Sequence, residues 1–118
     1  MIKVVVKRKE NHIKKIQTEG HALFDINGKD IVCAGVSAIL IGGINAINEM
    51  ELISLCDYEV DEGKVILNIK DCNHSNLQVI LETLYVQLKT IEESYSNYIS
   101  IQEAVSYTHL TLPTTSRV

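Results

Sequence analysis

The hydrophobic and polar positions near the N-terminus alternate with the period of a half-buried β-strand. Every second residue from Ile2 to Val6 is apolar and falls on one side of this segment, while lysines occupy much of the other side. A turn at residues 10–11 leads to a second predicted strand, from His12 to about residue 18, and the short connection predicts a hairpin. In the second strand Ile13 and Ile16 fall on opposite sides. We therefore expect a β-bulge or an edge position there.

The segment after residue 20 changes from turn residues to a long apolar run. The stretch 25–29 contains an Asn-Gly pair, which is typical of a loop. Asp30 stands where a helix N-cap is expected, so we predict a helix from there to about Met50. Its residues are apolar nearly all round, which indicates that it is covered on more than one side. Three glycines in this helix are explained if another backbone, such as a partner helix, passes close by: Gly35, Gly42 and Gly43.

The second half of the chain repeats the order of strand, strand and helix. Two strands are predicted at Glu51–Val60 and Lys64–Lys70, joined by a turn at residues 61–63. The last helix begins near Ser75 and carries an apolar stripe at three- and four-residue steps. Short hairpins require antiparallel neighbours, and both helices can cover one face of the sheet. We therefore predict an α+β fold, a two-layer antiparallel sheet with helices on one face in ββαββα order.

The length bounds the number of domains, because 118 residues form one compact unit. We assign residues 1–103 to this domain. Residues 104–118 are rich in Thr and hold the single Pro of the chain. We treat them as a tail of doubtful origin and assign them no role.

Charge and cysteine usage narrow the class of protein further. A net charge of −4 and an aromatic fraction of 5% argue against a nucleic-acid-binding chain. The apolar run at residues 31–46 is interrupted and shorter than a membrane span, and no secretion signal is visible, so we expect a cytoplasmic protein without membrane contact. The three cysteines have no CxxC spacing, and Cys72-Asn73-His74 is weak as a metal motif. We expect neither a metal nor another cofactor.

The candidate chemistry lies between Gly20 and Cys33. If Asp30 is the N-cap, Cys33 lies in the first helical turn, where unpaired amides and the helix dipole favour an anion such as a thiolate. The same amides could hold the oxyanion of an attacked carbonyl. His21 is the nearest base that the intervening loop could bring to the thiol. A cysteine in an apolar helix is more often a small buried side chain. These residues alone leave both a nucleophile and a structural thiol open.

Two runs in this region resemble the signature of the ribosomal-processing cysteine proteases of Firmicutes and related bacteria. They are Gly20-His21-Ala22 and Gly28-Lys29-Asp30-Ile31-Val32-Cys33-Ala34-Gly35-Val36-Ser37. The similarity extends from Met1 to about Ile101. Gly35 stands where the family more often has Ala, and the tail has no counterpart in the family.

The resemblance implies an activity and assigns residues to it. Family members remove a short N-terminal extension from a large-subunit ribosomal protein, number twenty-seven, cutting after an aromatic residue. His21 would be the general base and Cys33 the nucleophile of a catalytic dyad. Gly20, Asp30 and Ser37 match the motif as supporting residues, with Asp30 capping the helix or orienting His21.

The resemblance also implies partners. The substrate would be the N-terminal extension of that ribosomal protein, and an acidic domain suits a basic substrate because opposite charges speed encounter. Family members are homodimers, which would account for a first helix covered on several sides. The loop 22–29 would act as a lid over the dyad.

Other interpretations remain open. The chain could be a non-catalytic α+β module that binds a ribosomal protein or a small ligand, with Gly20–Cys33 as a binding loop. Binding of RNA on the open sheet face is disfavoured by the negative charge and the lack of paired aromatic residues. The acidic run Asp57, Glu59, Asp61 and Glu62 is expected to form a solvated hairpin, and docking of a basic substrate is the alternative.

Overall fold

The computed structural model describes residues 1–20 and 27–107, which form five strands and two long helices. The elements in chain order are β1 (Ile2–Lys9), β2 (His12–Glu19), α1 (Asn27–Glu49), a 3-10 turn (Ile53–Leu55), β3 (Cys56–Asp61), β4 (Lys64–Ile69), α2 (Ser75–Ser94) and β5 (Ile99–Ser106).

The strands form a single mixed sheet in the order β3-β4-β2-β1-β5. Three of the neighbouring pairs are antiparallel, and β1 and β5 are parallel. Ile2, Val4 and Val6 are buried on the face covered by the helices, whereas Lys3 and Lys7 are exposed on the other. The predicted α+β class, with two layers and both helices on one face, is confirmed. The prediction of a fully antiparallel sheet was wrong for one pair of strands, β1 and β5. The reason is that the prediction did not include β5.

A bulge in β2 explains the broken alternation of that strand. Lys7 pairs with Lys15, but the next residue, Arg8, pairs with Ile13. The extra residue, Lys14, resets the alternation so that both Ile13 and Ile16 point into the core with no exposed surface. The predicted bulge is confirmed. The strand lies between β4 and β1, not at an edge.

Helix α1 begins three residues earlier than predicted, at Asn27. Asn and Gly are favoured near helix N-termini as well as in turns, so the Asn-Gly pair starts the helix instead of forming a loop. Asp30 therefore lies inside the helix and is not its N-cap. The buried side of α1 is formed by Val32, Val36, Leu40, Ile44 and Ile47.

The two helices run antiparallel along each other. A Cβ placed on Gly43 would lie 2.5 Å from Leu84 of α2, and one on Gly35 would lie 3.1 Å from Ile91. A neighbouring helix thus contacts these two glycines, and it is α2, but it meets them with side chains and not with the predicted close backbone. Gly42 has nothing within 4 Å and needs no such neighbour.

The segment between α1 and β4 differs from the prediction at its beginning. The predicted strand Glu51–Val60 begins only at Cys56, because residues 53–55 form a 3-10 turn. Glu51 has a φ of 61°, outside the range of a strand. The turn at Glu62 and Gly63 and the strand after it agree with the prediction, except that β4 ends at Ile69.

Strand β5 crosses the predicted domain boundary at residue 103. It continues to Ser106, and the last three residue pairs with β1 are Lys7 with Ala104, Arg8 with Val105 and Lys9 with Ser106. These residues belong to the sheet by their backbone pairing. Residues 108–118 of the predicted tail lie outside the described residues.

One segment of α1, Ile31–Glu49, is long and apolar enough to cross a membrane by length and composition. Its apolar side packs on the sheet in the same core as Val4, Leu67 and Leu81. A core helix of a folded domain has this composition too, and 33% of this window is buried inside the domain.

Candidate active site

Gly20 marks the end of β2 and the start of the segment that carries the predicted base. Its φ is +100°, and a Cβ on it would lie 2.6 Å from the carbonyl oxygen of Met1. Its N–H donates to the carbonyl of Gly63 at 3.0 Å. A side chain at this position would be strained and would collide with the backbone. Gly20 thus lies packed against the residues that precede β1 and β4.

The N-terminal part of α1 lies at this same end of the sheet. Gly35 of α1 faces Ile91, in the last part of α2. The carbonyl of Tyr98, just after α2, accepts a hydrogen bond from the N–H of Ile2 at 2.9 Å. Since Lys3 pairs with Glu19, the beginning of α1 and the end of β2 share one end of the domain. The structure thus brings Gly20 and the helix segment of Cys33 to the same end.

Cys33 and Ser37 lie on the flank of α1 that faces away from α2. Each is two residues from Gly35, which faces α2, and two residues on an α-helix are about 200° apart. Cys33 is partly buried against the core, while Ser37, one turn later, is exposed. The thiol is therefore neither sealed in the core nor fully in solvent, as a candidate nucleophile requires.

The predicted oxyanion hole at the helix start does not coincide with Cys33. Because α1 begins at Asn27, Cys33 lies in the second turn, not the first. The amides without a helical partner are those at the very start of the helix, before residue 30, and the effect of the helix dipole falls off within the first turn. The helix start therefore does not supply the predicted donors beside the sulfur.

The structure places four of the five predicted site residues, Asp30 by its backbone alone. His21 and Ala22, with most of the predicted lid, lie outside the described residues. The last residues of that loop, 27–29, belong to α1. Of the predicted supporting residues, Gly20 and Ser37 are placed as described above, and Asp30 is placed only by its backbone.

The other two cysteines have different surroundings. Cys56, at the start of β3, is 5% exposed, and its burial raises the pKa of the thiol to about 11. Cys72 is partly buried, with its Sγ 3.9 Å from the carbonyl oxygen of Ile69. His74, in the weak metal motif, is the N-cap of α2, and its Nδ1 accepts a hydrogen bond from the N–H of Leu77 at 3.3 Å.

The β3–β4 hairpin lies beside Gly20 and shows a feature that the sequence analysis did not single out. The acidic side chains of the hairpin, Asp57, Glu59, Asp61 and Glu62, are exposed, in agreement with a solvated hairpin. Tyr58 and Val60, which alternate with them, are also largely exposed. The alternation was visible in the sequence, but their exposure depends on the position of β3 at the sheet edge.

The fold and the thiol on α1 define a candidate cysteine peptidase, and comparison with known proteins agrees. Residues 1–100 match the family profile described as cysteine protease Prp. A protein of Staphylococcus aureus, the ribosomal processing cysteine protease Prp, is 38% identical over 96 residues, covering 78% of this chain and 88% of the relative. The protein of the same description from Mycoplasma genitalium is 40% identical over 85 residues, covering 72% and 83%.

A solved structure is similar along nearly the whole domain. The ribosomal processing protease Prp of S. aureus, in complex with a substrate peptide, superposes with a TM-score of 0.79 at 36% identity. The match covers 87% of this chain and 99% of the S. aureus chain. The chain therefore belongs to the Prp family of cysteine proteases. This favours an enzyme over a non-catalytic binding module.

Proposed function

We propose that this cysteine protease removes a short N-terminal extension from a large-subunit ribosomal protein, number twenty-seven, cutting after an aromatic residue. The proposal is supported by the family, whose relatives in S. aureus and M. genitalium are described as ribosomal processing proteases. The observation that carries it is the partly exposed Cys33 on α1, at the end of the domain where Gly20 leads into His21. A protease that acts on a ribosomal protein would work in the cytoplasm, where ribosomes are assembled.

The proposed mechanism is acyl transfer through a Cys-His dyad. His21 takes the proton of Cys33, and the sulfur attacks the scissile carbonyl to form a thioester while the amine leaves with a proton from His21. Water, activated by His21, then hydrolyses the thioester and restores the thiol. A structure of the S. aureus relative holds a covalently linked product peptide, which agrees with a covalent route for that protein.

The dyad is tested by digestion of a peptide that spans the extension. Mass spectrometry should show a single cut after an aromatic residue with the wild-type protein and none with Cys33→Ala or His21→Ala. Cys72→Ala serves as the matched control and should cleave like the wild type, since Cys72 follows the end of β4, at the end of the sheet opposite Cys33. Equal cleavage by all four proteins would refute the dyad.

Thiol labelling provides a second test that does not need the substrate. Cys33 should react with iodoacetamide faster than Cys56 and Cys72 near neutral pH, and His21→Ala should slow Cys33 alone. Slow labelling of Cys33 in the wild type would contradict an activated nucleophile.

We also propose that the protein forms a homodimer through the outer face of its helices. Ile31 and Val79 are 58% and 64% exposed, and the groove between the two helices is lined by Ala38, Gly42 and Ala46. Apolar surface of this kind is typical of a protein interface. Light scattering should give the mass of a dimer for the wild type and of a monomer for Val79→Glu, with Gln102→Glu on β5 as control. A monomeric wild type would contradict the proposal.

A further inference from the structure

Strand β3 has a free edge within the described part of the chain. It is the outermost strand of the sheet and pairs only with β4. The turn of Glu62 and Gly63 makes Asp61 and Lys64 the closing pair of a two-residue hairpin. In such a hairpin the closing pair exchanges both backbone hydrogen bonds, and the pattern then alternates along the strand. The amides and carbonyls of Tyr58 and Val60 therefore point away from β4, toward the free edge.

Strand β3 carries apolar side chains on one face of the sheet and acidic side chains on the other. Tyr58 and Val60 lie on the helix side of the sheet but are 54% and 48% exposed, whereas Cys56 at the start of the strand is buried. The helices therefore cover the beginning of β3 and leave Tyr58 and Val60 uncovered. Asp57, Glu59 and the closing residue of the strand project from the opposite face and are exposed. An extended chain laid along this edge would meet apolar and acidic side chains in alternation.

The uncovered end of β3 lies toward Cys33. Helix α2 contacts β5 and β2, while α1 contacts the 3-10 turn that precedes β3, so α1 covers the β3 half of the sheet. Cys33 and Ser37 are on the flank of α1 opposite α2, which is the flank on this half. The hairpin of β3 also reaches Gly20 through the hydrogen bond to Gly63. One region of the surface is thus bordered by three features. They are the exposed Tyr58 and Val60, the flank of α1 that carries Cys33, and Gly20 at the end of β2.

We infer that β3 binds the substrate as an additional strand, holding an extended peptide along the edge beside Cys33. The backbone of Tyr58 and Val60 would pair with that of the peptide, which is how sheet edges commonly bind extended segments. Apolar side chains of the peptide would pack on Tyr58 and Val60, and basic ones would face Asp57 and Glu59. The inference rests on the proposed protease function and adds the surface that selects the substrate.

The other edge of the sheet is less suitable. Strand β5 lies on the α2 side, away from the flank of Cys33. Its outward N–H at Ile101 already donates to Glu92 at 2.9 Å. Its large exposed apolar residue, Val105, lies near the far end of the strand, where β1 also ends. A peptide on β5 would therefore not reach the thiol along the sheet.

The wild-type protein allows a test that requires no variant. A series of substrate peptides, each N-methylated at one backbone position on one side of the cleavage site, is compared by kcat/KM. Pairing with a strand edge uses every second amide of the peptide. Methylation should lower kcat/KM about tenfold at alternate positions and little at those between, since it removes a hydrogen bond and adds a clash. A flat profile with intact cleavage of the unmethylated peptide would overturn the inference and leave the protease function standing.

A pair of proline variants tests the strand itself. Val60→Pro removes an edge amide that is not used in the sheet, which edge strands tolerate. Val105→Pro on β5 is the matched control. Every second amide of a strand points the same way, so the amide of Val105, like that of Ile101, points away from β1. Val60→Pro should lower kcat/KM about tenfold by raising KM, while the rate of iodoacetamide labelling of Cys33 stays at the wild-type value. Val105→Pro should leave both kcat/KM and the labelling rate unchanged.

The outcomes separate the two proposals. If Val60→Pro cleaves as fast as the wild type, the inference is wrong while the dyad stands. If the wild type cleaves no peptide of the series, both fail. Should Val60→Pro not fold, as judged by circular dichroism, the methylated peptides alone decide.

Discussion

At the scale of single residues, burial separates the thiol of Cys56 from the thiol of Cys33. Cys56 is enclosed by the core, and desolvation raises the pKa of its thiol to about 11. A thiol in this state remains protonated and inert near neutral pH. Cys33 is only partly enclosed, on a helix flank with an exposed serine one turn away. Burial therefore distinguishes a structural thiol from a candidate nucleophile in the same chain.

The raised pKa of Cys56 makes stability depend on alkaline pH. The thiol ionises near pH 9.0 when unfolded and near 11 when folded, so above about pH 9 the unfolded state loses its proton first. Stability from this group is complete below pH 9 and is lost as the pH rises to 11, by about 2–3 kcal/mol. Urea unfolding at pH 8 and pH 11 should show a smaller loss for Cys56→Ala than for the wild type. The same loss in both proteins would contradict the assignment.

The sequence motif predicts which residues belong to the candidate site, but it does not predict how they are arranged in space. Cys33 and His21 follow from the motif, and the need for glycine at position 20 is now explained by its φ and its contact with Met1. The helix start was misplaced because Asp30 and the Asn-Gly pair before it both suit a helix N-terminus. An error of three residues moves Cys33 from the first turn to the second, which removes the predicted oxyanion donors.

At the scale of elements, two neighbouring glycines of α1 have opposite surroundings. Gly43 is buried, and the three nearest atoms to its Cβ position belong to Leu84, itself buried. Gly42 is exposed and its Cβ position is open. The packing of α1 on α2 therefore requires a glycine at one position and not at the other, although the helix backbone is the same at both.

Alanine at these two positions should change stability in opposite directions. Gly42→Ala should raise the free energy of unfolding by about 0.5–1 kcal/mol, because alanine favours the helix. Gly43→Ala gains the same helix preference, but Leu84 must move in a packed core, so we expect a net loss of about 1 kcal/mol. Urea denaturation of both variants at the same oligomeric state measures the difference. A stabilised Gly43→Ala would show that the helices can separate without cost.

The order of the strands was beyond the reach of the sequence pattern. Local alternation predicts β1, β2 and β4 because each buries one face. Strand β5 is buried mainly at Ile99, and its later residues are exposed, so it has no clear alternation. Its parallel pairing with β1 depends on where α2 returns the chain. The edge position of β3, on which the inferred substrate surface depends, follows from the same unpredictable order.

At the scale of the whole molecule, Arg8 joins three elements. Its guanidinium donates to Glu82 of α2 and to Glu103 of β5, and it lies 5.2 Å from the ring centre of Tyr85. The hydrogen bond to Glu82 is the main cause that raises the pKa of Arg8 above its usual value. The side chain is mostly buried while both carboxylates are partly exposed, so the energy of the ion pairs is modest. The cluster fixes β5 against the helix layer.

Two C-terminal truncations should distinguish the contribution of β5 to stability from that of the residues after it. A chain ending at Tyr107 keeps the strand and should retain the wild-type Tm within about 2 °C. A chain ending at Tyr98 loses the buried Ile99, the ladder with β1 and one of the two carboxylate partners of Arg8, Glu103. Burial of an isoleucine alone contributes about 1.5–3 kcal/mol, so the loss should exceed about 3 kcal/mol, a large part of the stability of a small domain. Glu103→Gln in the full chain is the control and should cost below about 1 kcal/mol, since it removes only one ion pair. Equal melting of the two shortened chains would show that β5 is dispensable, and the domain boundary would then lie before it.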